Sequence, residues 1–300
     1  MRRSFCKTRF NRNTITLVYS AVSLLVIGAL VSAEPLPSQV QLIGIVLLIA
    51  VCGLPHGALD AEIGTFLDLT HTIRGAFLFF MGYVLLALSG IALWLWLPPL
   101  ALSLFLVISI FHFSDDWQSR LGRPMSVALA VAVVGLPAIG QPDAVAQILT
   151  WLFIPAPLAP MFVTILAFGA GIGLLLVVGT VMVSHRGRWP VIVEVSLLSI
   201  SALVMSPVLY FALYFCLIHA QRHMLDCSRL LDLSLAQCYL KSLPILFLTV
   251  LCGGASYWLF ASAGLSTNLI RWLFIGLFAL TLPHMALITY WNRRRGSDHR

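Results

Sequence analysis

Residues 161–184 read MFVTILAFGAGIGLLLVVGTVMVS, an unbroken apolar run without one ionisable side chain. A helix of about 20 such residues crosses the hydrocarbon core of a bilayer, and in lipid only helices or closed barrels satisfy their own backbone hydrogen bonds. Runs of the same kind recur at 15–33, 40–60, 75–97, 100–117, 125–141, 190–205, 207–225, 242–262 and 270–291. They do not alternate with period two, so the reading is an all-α, polytopic membrane helix bundle of about ten transmembrane helices. The connections are short and rich in Pro and Gly, as in Glu34-Pro35-Leu36-Pro37 and Gly187-Arg188-Trp189-Pro190. No linker separates two domains, and residues 1–300 read as a single integral-membrane domain.

The whole composition agrees. Of 300 residues, 60% are hydrophobic and 10% charged, against roughly 25% charged in a soluble domain. The net charge of +7 does not point to nucleic acid, because a chain this apolar is no carrier for a basic binding face. It points to topology. With residues 1–13 in the cytoplasm, ten crossings put every Lys and Arg except Arg271 at or beside the cytoplasmic face. Residues 1–13 and 292–300 then form basic cytoplasmic tails, both termini are cytoplasmic, and the expected location is the cell (inner or plasma) membrane, multi-pass. Residues 142–154 are expected to form a separate helix at the outer interface. The run 15–33 exceeds the roughly 7–15 apolar residues of a secretory signal and is read as a retained helix. The cysteines Cys6, Cys52, Cys216, Cys227, Cys238 and Cys252 show no CxxC spacing, which argues against a disulfide scaffold or a zinc knuckle.

Ionisable groups inside a membrane are costly and mark function by default. Of eight histidines, His71, His185 and His299 fall in loops or the tail. The other five, His56, His112, His219, His223 and His284, lie in the cytoplasmic halves of four spans. His219 and His223 are four apart, so both imidazoles leave one helix face and can chelate one ion, or serve as a core pair bonded to carbonyls. Asp60 follows His56 by four residues and Asp116 follows His112 by the same offset. Each carboxylate is expected to accept the second N–H of its own neighbouring imidazole, or to sit as a charge at a wet helix end. Prolines precede two of the histidines, in Leu54-Pro55-His56 and Leu282-Pro283-His284, where a bend would turn the ring inward. An all-imidazole set suits iron, copper or zinc better than magnesium or calcium.

These motifs resemble those of a known family. Gly53-Leu54-Pro55-His56-Gly57-Ala58-Leu59-Asp60 is similar to the first block of the Brp/Blh family of bacterial and archaeal membrane β-carotene dioxygenases. Phe111-His112-Phe113-Ser114-Asp115-Asp116-Trp117, His219-Ala220-Gln221-Arg222-His223 and Leu282-Pro283-His284 resemble the later blocks, in order. Ala61 departs from the pattern, in which a histidine often follows the aspartate. The resemblance implies oxidative cleavage of β-carotene at the central 15,15′ double bond with O2, giving two all-trans-retinal. It implies Fe(2+) as cofactor, with His56, His112, His219 and His223 as ligands. His284, Asp60 and Asp116 would be further ligands or groups just behind them. The partners implied are β-carotene, O2, the lipid bilayer and a retinal-binding rhodopsin as recipient. The aromatics Tyr210, Phe211, Tyr214 and Phe215 suit a polyene tunnel and plain packing equally. The competing expectation is a carotenoid-binding membrane protein or transporter without chemistry. A site-2-type protease is excluded because Ala220, not Glu, follows His219.

Overall fold

A computed structural model describes residues 11–32, 34, 36–183, 188–260 and 264–297. Residues 1–10 of the expected N-terminal tail, 185–187 of a cytoplasmic loop and 298–300 of the C-terminal tail lie outside the described residues. The described residues are almost entirely helical and contain no strand. In chain order, leaving aside the single turn Gln118–Leu121, the helices are α1 (Arg12–Ser32), α2 (Ser38–Phe66), α3 (Ile73–Trp96), α4 (Pro98–Ser114), α5 (Arg123–Gly140) and α6 (Pro142–Trp151). Then follow α7 (Ala159–Val183), α8 (Trp189–Val204), α9 (207–230), α10 (Leu235–Phe260) and α11 (Leu265–Ser297).

Each apolar run expected from the sequence is one of these helices, and α6 is the separate helix expected at 142–154. Seven of them (α1, α2, α3, α5, α7, α10 and α11) are long and apolar enough to cross a membrane, and α4 and α8 are shorter apolar helices. The chain is thus built as a multi-pass membrane protein. Helix ends differ from hydropathy limits because apolarity marks only the part suited to lipid. Backbone hydrogen bonding carries α10 back to Leu235 and α11 on to Ser297, so residues 292–297 of the expected tail are helical. In the other direction, α4 stops at Ser114 rather than 117. The Asp115 and Asp116 amides turn back to the carbonyls three residues earlier, His112 and Phe113, which tightens the last turn and lifts Asp116 off the helix axis.

Two irregular turns position the site. In α2, Ile49–Gly53 form a π turn closed by the Leu54 amide on the Ile49 carbonyl at 2.8 Å. Pro55, which has no N–H to give, then opens the short piece Pro55–Ala58 ahead of Asp60–Phe66. In α9 the matching π turn is Phe215–His219. The two turns pack against each other, and a Cβ on Gly53 would stand 2.6 Å from Phe215 Cε1. By contrast α11 runs through Pro283 as one helix, so the two Leu-Pro-His segments are built differently.

Around these turns the bundle is packed in two ways. Small residues bring α5 against α7, where a Cβ on Gly135 would collide with the Leu166 carbonyl oxygen. Large rings fill the middle: Trp94, Phe105 and Phe278 meet edge-to-face with centroids 5.3 to 6.1 Å apart. The Trp94 indole N–H also caps the Leu152 carbonyl at 3.1 Å, fixing the end of α3 to the loop after α6. Otherwise α3 buries little besides Gly90 and Trp94, as expected of a lipid-facing helix.

Candidate metal centre

All five intramembrane histidines converge on one point. The ring of His56 lies 5.3 Å from those of His219 and His223 and 5.5 Å from that of His284. His112 is 4.4 Å from His219, 5.0 Å from His284 and 6.0 Å from His223, and His223 is 5.1 Å from His284. One ring nitrogen from each of His56, His112 and His284 lies within 4.8 Å of the other two. His219 Nε2 comes to 3.0 Å from His112 Nε2. At about 2.1 Å per metal–imidazole bond, donors at right angles around one ion stand about 3.0 Å apart and opposed donors about 4.2 Å. Spacings of that order suit His56, His112 and His284, with His219 beside His112, to sharing one ion. His284, expected as a further ligand or a group behind the ligands, is one of the three whose donor atoms lie within 4.8 Å of one another.

The backing of the rings shows which nitrogen faces inward. His56 Nδ1–H donates to the Gly53 carbonyl at 2.5 Å, a carbonyl set in place by the π turn. His284 Nδ1–H donates to the Asp60 carboxylate at 2.9 and 3.0 Å, and His219 Nδ1–H to Asp116 at 3.3 Å. His223 Nδ1 meets the Cys227 thiol at 3.3 Å. With Nδ1 engaged, Nε2 is the free lone pair, the arrangement a metal-ligating histidine requires. His284 Nε2 is indeed buried without a hydrogen-bond partner, as is His112 Nδ1. Leaving such an atom unpaired costs about 1–3 kcal/mol, and an ion among the imidazoles would satisfy His284 Nε2. The donor set fits an ion that prefers nitrogen.

The aspartates do not serve their own neighbours. Asp60 holds His284 rather than His56, and Asp116 holds His219 rather than His112. The reason is reach: residues one turn apart leave the same face, but the long imidazole extends to the centre while the short carboxylate meets a ring arriving from another helix. Each carboxylate also accepts a tyrosine O–H, Tyr83 on Asp60 at 3.0 Å and Tyr214 on Asp116 at 2.8 Å. The site therefore has two like clasps, each made of Asp, a partner His and a Tyr. Asn at Asp60 or at Asp116 is expected to lower metal affinity about 10–100-fold, read by metal retained after equilibration with a buffered ion. Ala at Gly53 drives a methyl into Phe215, whose ring packs 5.4 Å from His56 and 5.7 Å from His219. We expect a loss of about 1–3 kcal/mol of stability from overpacking, measured as a lower melting temperature in detergent.

A second buried network lies behind Asp116, and the sequence reading missed it. Glu194, the lone acid of α8, is completely buried. It accepts the Trp117 indole N–H at 2.7 Å and bonds from Arg222 and the Thr16 hydroxyl, with Arg120 at 3.6 Å. Arg222 sits between His219 and His223 in sequence but bonds Glu194, and it also donates to the Asp116 carbonyl at 3.1 Å. Arg12 of α1 reaches the same carbonyl at 3.0 Å and the Asp226 carboxylate at 2.6 Å. The turn carrying Asp116 is thus clamped by α1, α8 and α9. The available signal was a single carboxylate in an otherwise uncharged span.

The cluster lies between unlike cavities. An apolar cleft of about 100 Å3 is lined by His56, His112 and His284 together with Phe105, Phe113, Phe211 and Phe215. It shares Phe105, Ser109, Phe113 and Phe211 with a second apolar cavity of about 130 Å3 that runs on to Tyr210, Tyr214 and Phe274. On the other side a wide basin of about 1010 Å3 is lined by His112, His219 and His223, by charged Arg12, Asp116 and Asp226, and by apolar Phe66, Leu230 and Ile288.

A multi-pass helical bundle enclosing an all-imidazole cluster beside a hydrocarbon-lined cleft has the build of an integral-membrane metalloprotein that handles apolar molecules. The family model described as β-carotene 15,15′-dioxygenase matches residues 47–292, and the chain belongs to that family, the Brp/Blh group of oxygenase enzymes. The match encloses all five histidines and begins after α1. Among curated relatives, the β-carotene 15,15′-dioxygenase of an uncultured marine bacterium, 66A03, is 33% identical over 261 residues, covering 83% of this chain and 94% of the relative. The probable β-carotene 15,15′-dioxygenase Blh of Halobacterium salinarum is 25% identical over 326 residues, covering 95% of this chain and 94% of the relative. No solved structure matches significantly.

Proposed function

We propose that this chain cleaves β-carotene at its central 15,15′ double bond with O2, giving two all-trans-retinal. The cofactor would be an iron(II) ion held by His56, His112, His219 and His223, with His284 as a fifth ligand or close behind them. The observation that carries this reading is the meeting of five imidazoles at the head of an aromatic cleft in a chain of this family. Iron(II) with open positions supplies the activation of O2 when bound. The protein does the remaining work. Phe105, Phe113, Phe211 and Phe215 line a cleft for the rigid polyene, holding it in one orientation beside His56 and His112 and keeping water away. The clasps of Asp60 and Asp116 fix the tautomers of His284 and His219 and offset the charge of the cation. The substrate partitions into lipid, so its route runs through the bilayer rather than through water. We also propose ten crossings of the cell membrane with both termini cytoplasmic, a single domain, and delivery of the retinal to a rhodopsin-type protein.

Purified protein tests the cofactor. Stripping with a chelator should abolish cleavage, and iron(II) should restore it where zinc does not. Cleavage by stripped protein, or equal rescue by zinc, would remove iron from the account.

A further inference from the structure

The five histidines divide between the two sides of the site. His219 and His223 face the wide basin, His56 and His284 face the apolar cleft, and only His112 lines both. The cleft has little to offer a hydrated species. Three of its hydroxyls are already donated elsewhere: Tyr83 to Asp60, Thr249 to the Ile245 carbonyl at 2.8 Å and Thr281 to the Leu277 carbonyl at 2.6 Å. An ion or anion entering there would shed its water along the aromatic stretch before any imidazole could replace it. The basin differs: it is some ten times larger in volume, and its lining carries Arg12, Arg222, Arg229, Asp115, Asp116 and Asp226 beside apolar Phe66, Leu230, Ile288 and Trp291. Those charged groups give a hydrated solute partners that the cleft lacks.

We propose that the wide basin with charged groups on its wall is a second entrance to the histidine cluster, admitting water-soluble ligands of the metal (small anions, chelators, the hydrated ion itself), while the cleft admits hydrocarbon. The inference rests on the reading that the cluster holds iron.

Ser119 is exposed and lines the basin. Cysteine at Ser119 can be labelled, after folding and purification, with the charged reagent methanethiosulfonate ethylsulfonate. The readout is the rate at which bathophenanthroline disulfonate, a sulfonated ferrous chelator, withdraws iron from detergent-solubilised holoprotein. Wild type treated with the same reagent controls for the native cysteines. Labelled Ser119→Cys should lose iron about tenfold more slowly, a barrier change of about 1.4 kcal/mol. Thr249→Trp, which fills the cleft, should leave that rate at the wild-type value. Slowing by Thr249→Trp with none from the labelled cysteine would overturn the proposal and put both solutes on one route. Equal rates in all three proteins would overturn it too. Wild type purified without any bound metal would instead remove the metal reading itself, and this inference with it.

Discussion

Alanine at His112 is expected to remove bound metal and carotene cleavage together, while the helical content measured by circular dichroism stays at the wild-type level. His112 shares a 4.8 Å donor triad with His56 and His284, approaches His219 at 3.0 Å and lines both the cleft and the basin. The nearby carboxylates cannot replace it, because Asp60 and Asp116 are engaged by the Nδ1 sides of His284 and His219. Removing a group that merely supports a ligand costs about 10–100-fold, so loss of a ligand should leave under about one-hundredth of the activity. The substitution opens space at the cleft rather than in the packed middle of the bundle, which is why folding should survive it. Wild-type metal content in this variant would take His112 out of the site.

The second large effect concerns folding. Alanine at Glu194 leaves Arg222, 1% exposed, without its carboxylate and with the Asp116 carbonyl and the face of Trp117 to answer it. Removing one partner of a buried ion pair costs about 3–5 kcal/mol, and the expected result is a sharply lower melting temperature and yield in detergent. Replacing both partners, Glu194→Leu with Arg222→Met, should regain much of that loss, because a buried pair exchanged for apolar groups is often neutral. The double-variant cycle measures the coupling directly. If Glu194→Ala melts like wild type, the network behind Asp116 is not holding the bundle.

Different parts of this molecule were legible from sequence to different depths. The helices were readable because lipid forces twenty-residue apolar runs, and a run such as 161–184 has no other use. Their ends were not, since hydropathy stops where lipid stops whereas α11 continues to Ser297. The histidines were readable one by one, as costly polar groups in spans. Their backing was only half so. The spacing of His56 with Asp60 suggested a pair within one helix, yet Asp60 bonds His284, 224 residues away. Spacing reports what shares a helix face and is silent on which helix faces it. Glu194 was visible as a lone acid, but its partners Thr16, Trp117 and Arg222 come from three other segments and carry no common pattern. The π turns at Ile49–Gly53 and Phe215–His219 left one trace, Gly53, whose missing side chain makes room for Phe215.

The central claim is tested most directly by the products. Cells that already make β-carotene would express the chain beside a His219→Ala, His223→Ala double variant at equal membrane levels, with the carotenoids separated by HPLC. The account predicts all-trans-retinal as the product of wild type, two molecules for each carotene consumed, and carotene left intact by the variant. Intact carotene in the presence of well-folded, iron-loaded wild type, or fragments of unequal length, would contradict central cleavage at this site.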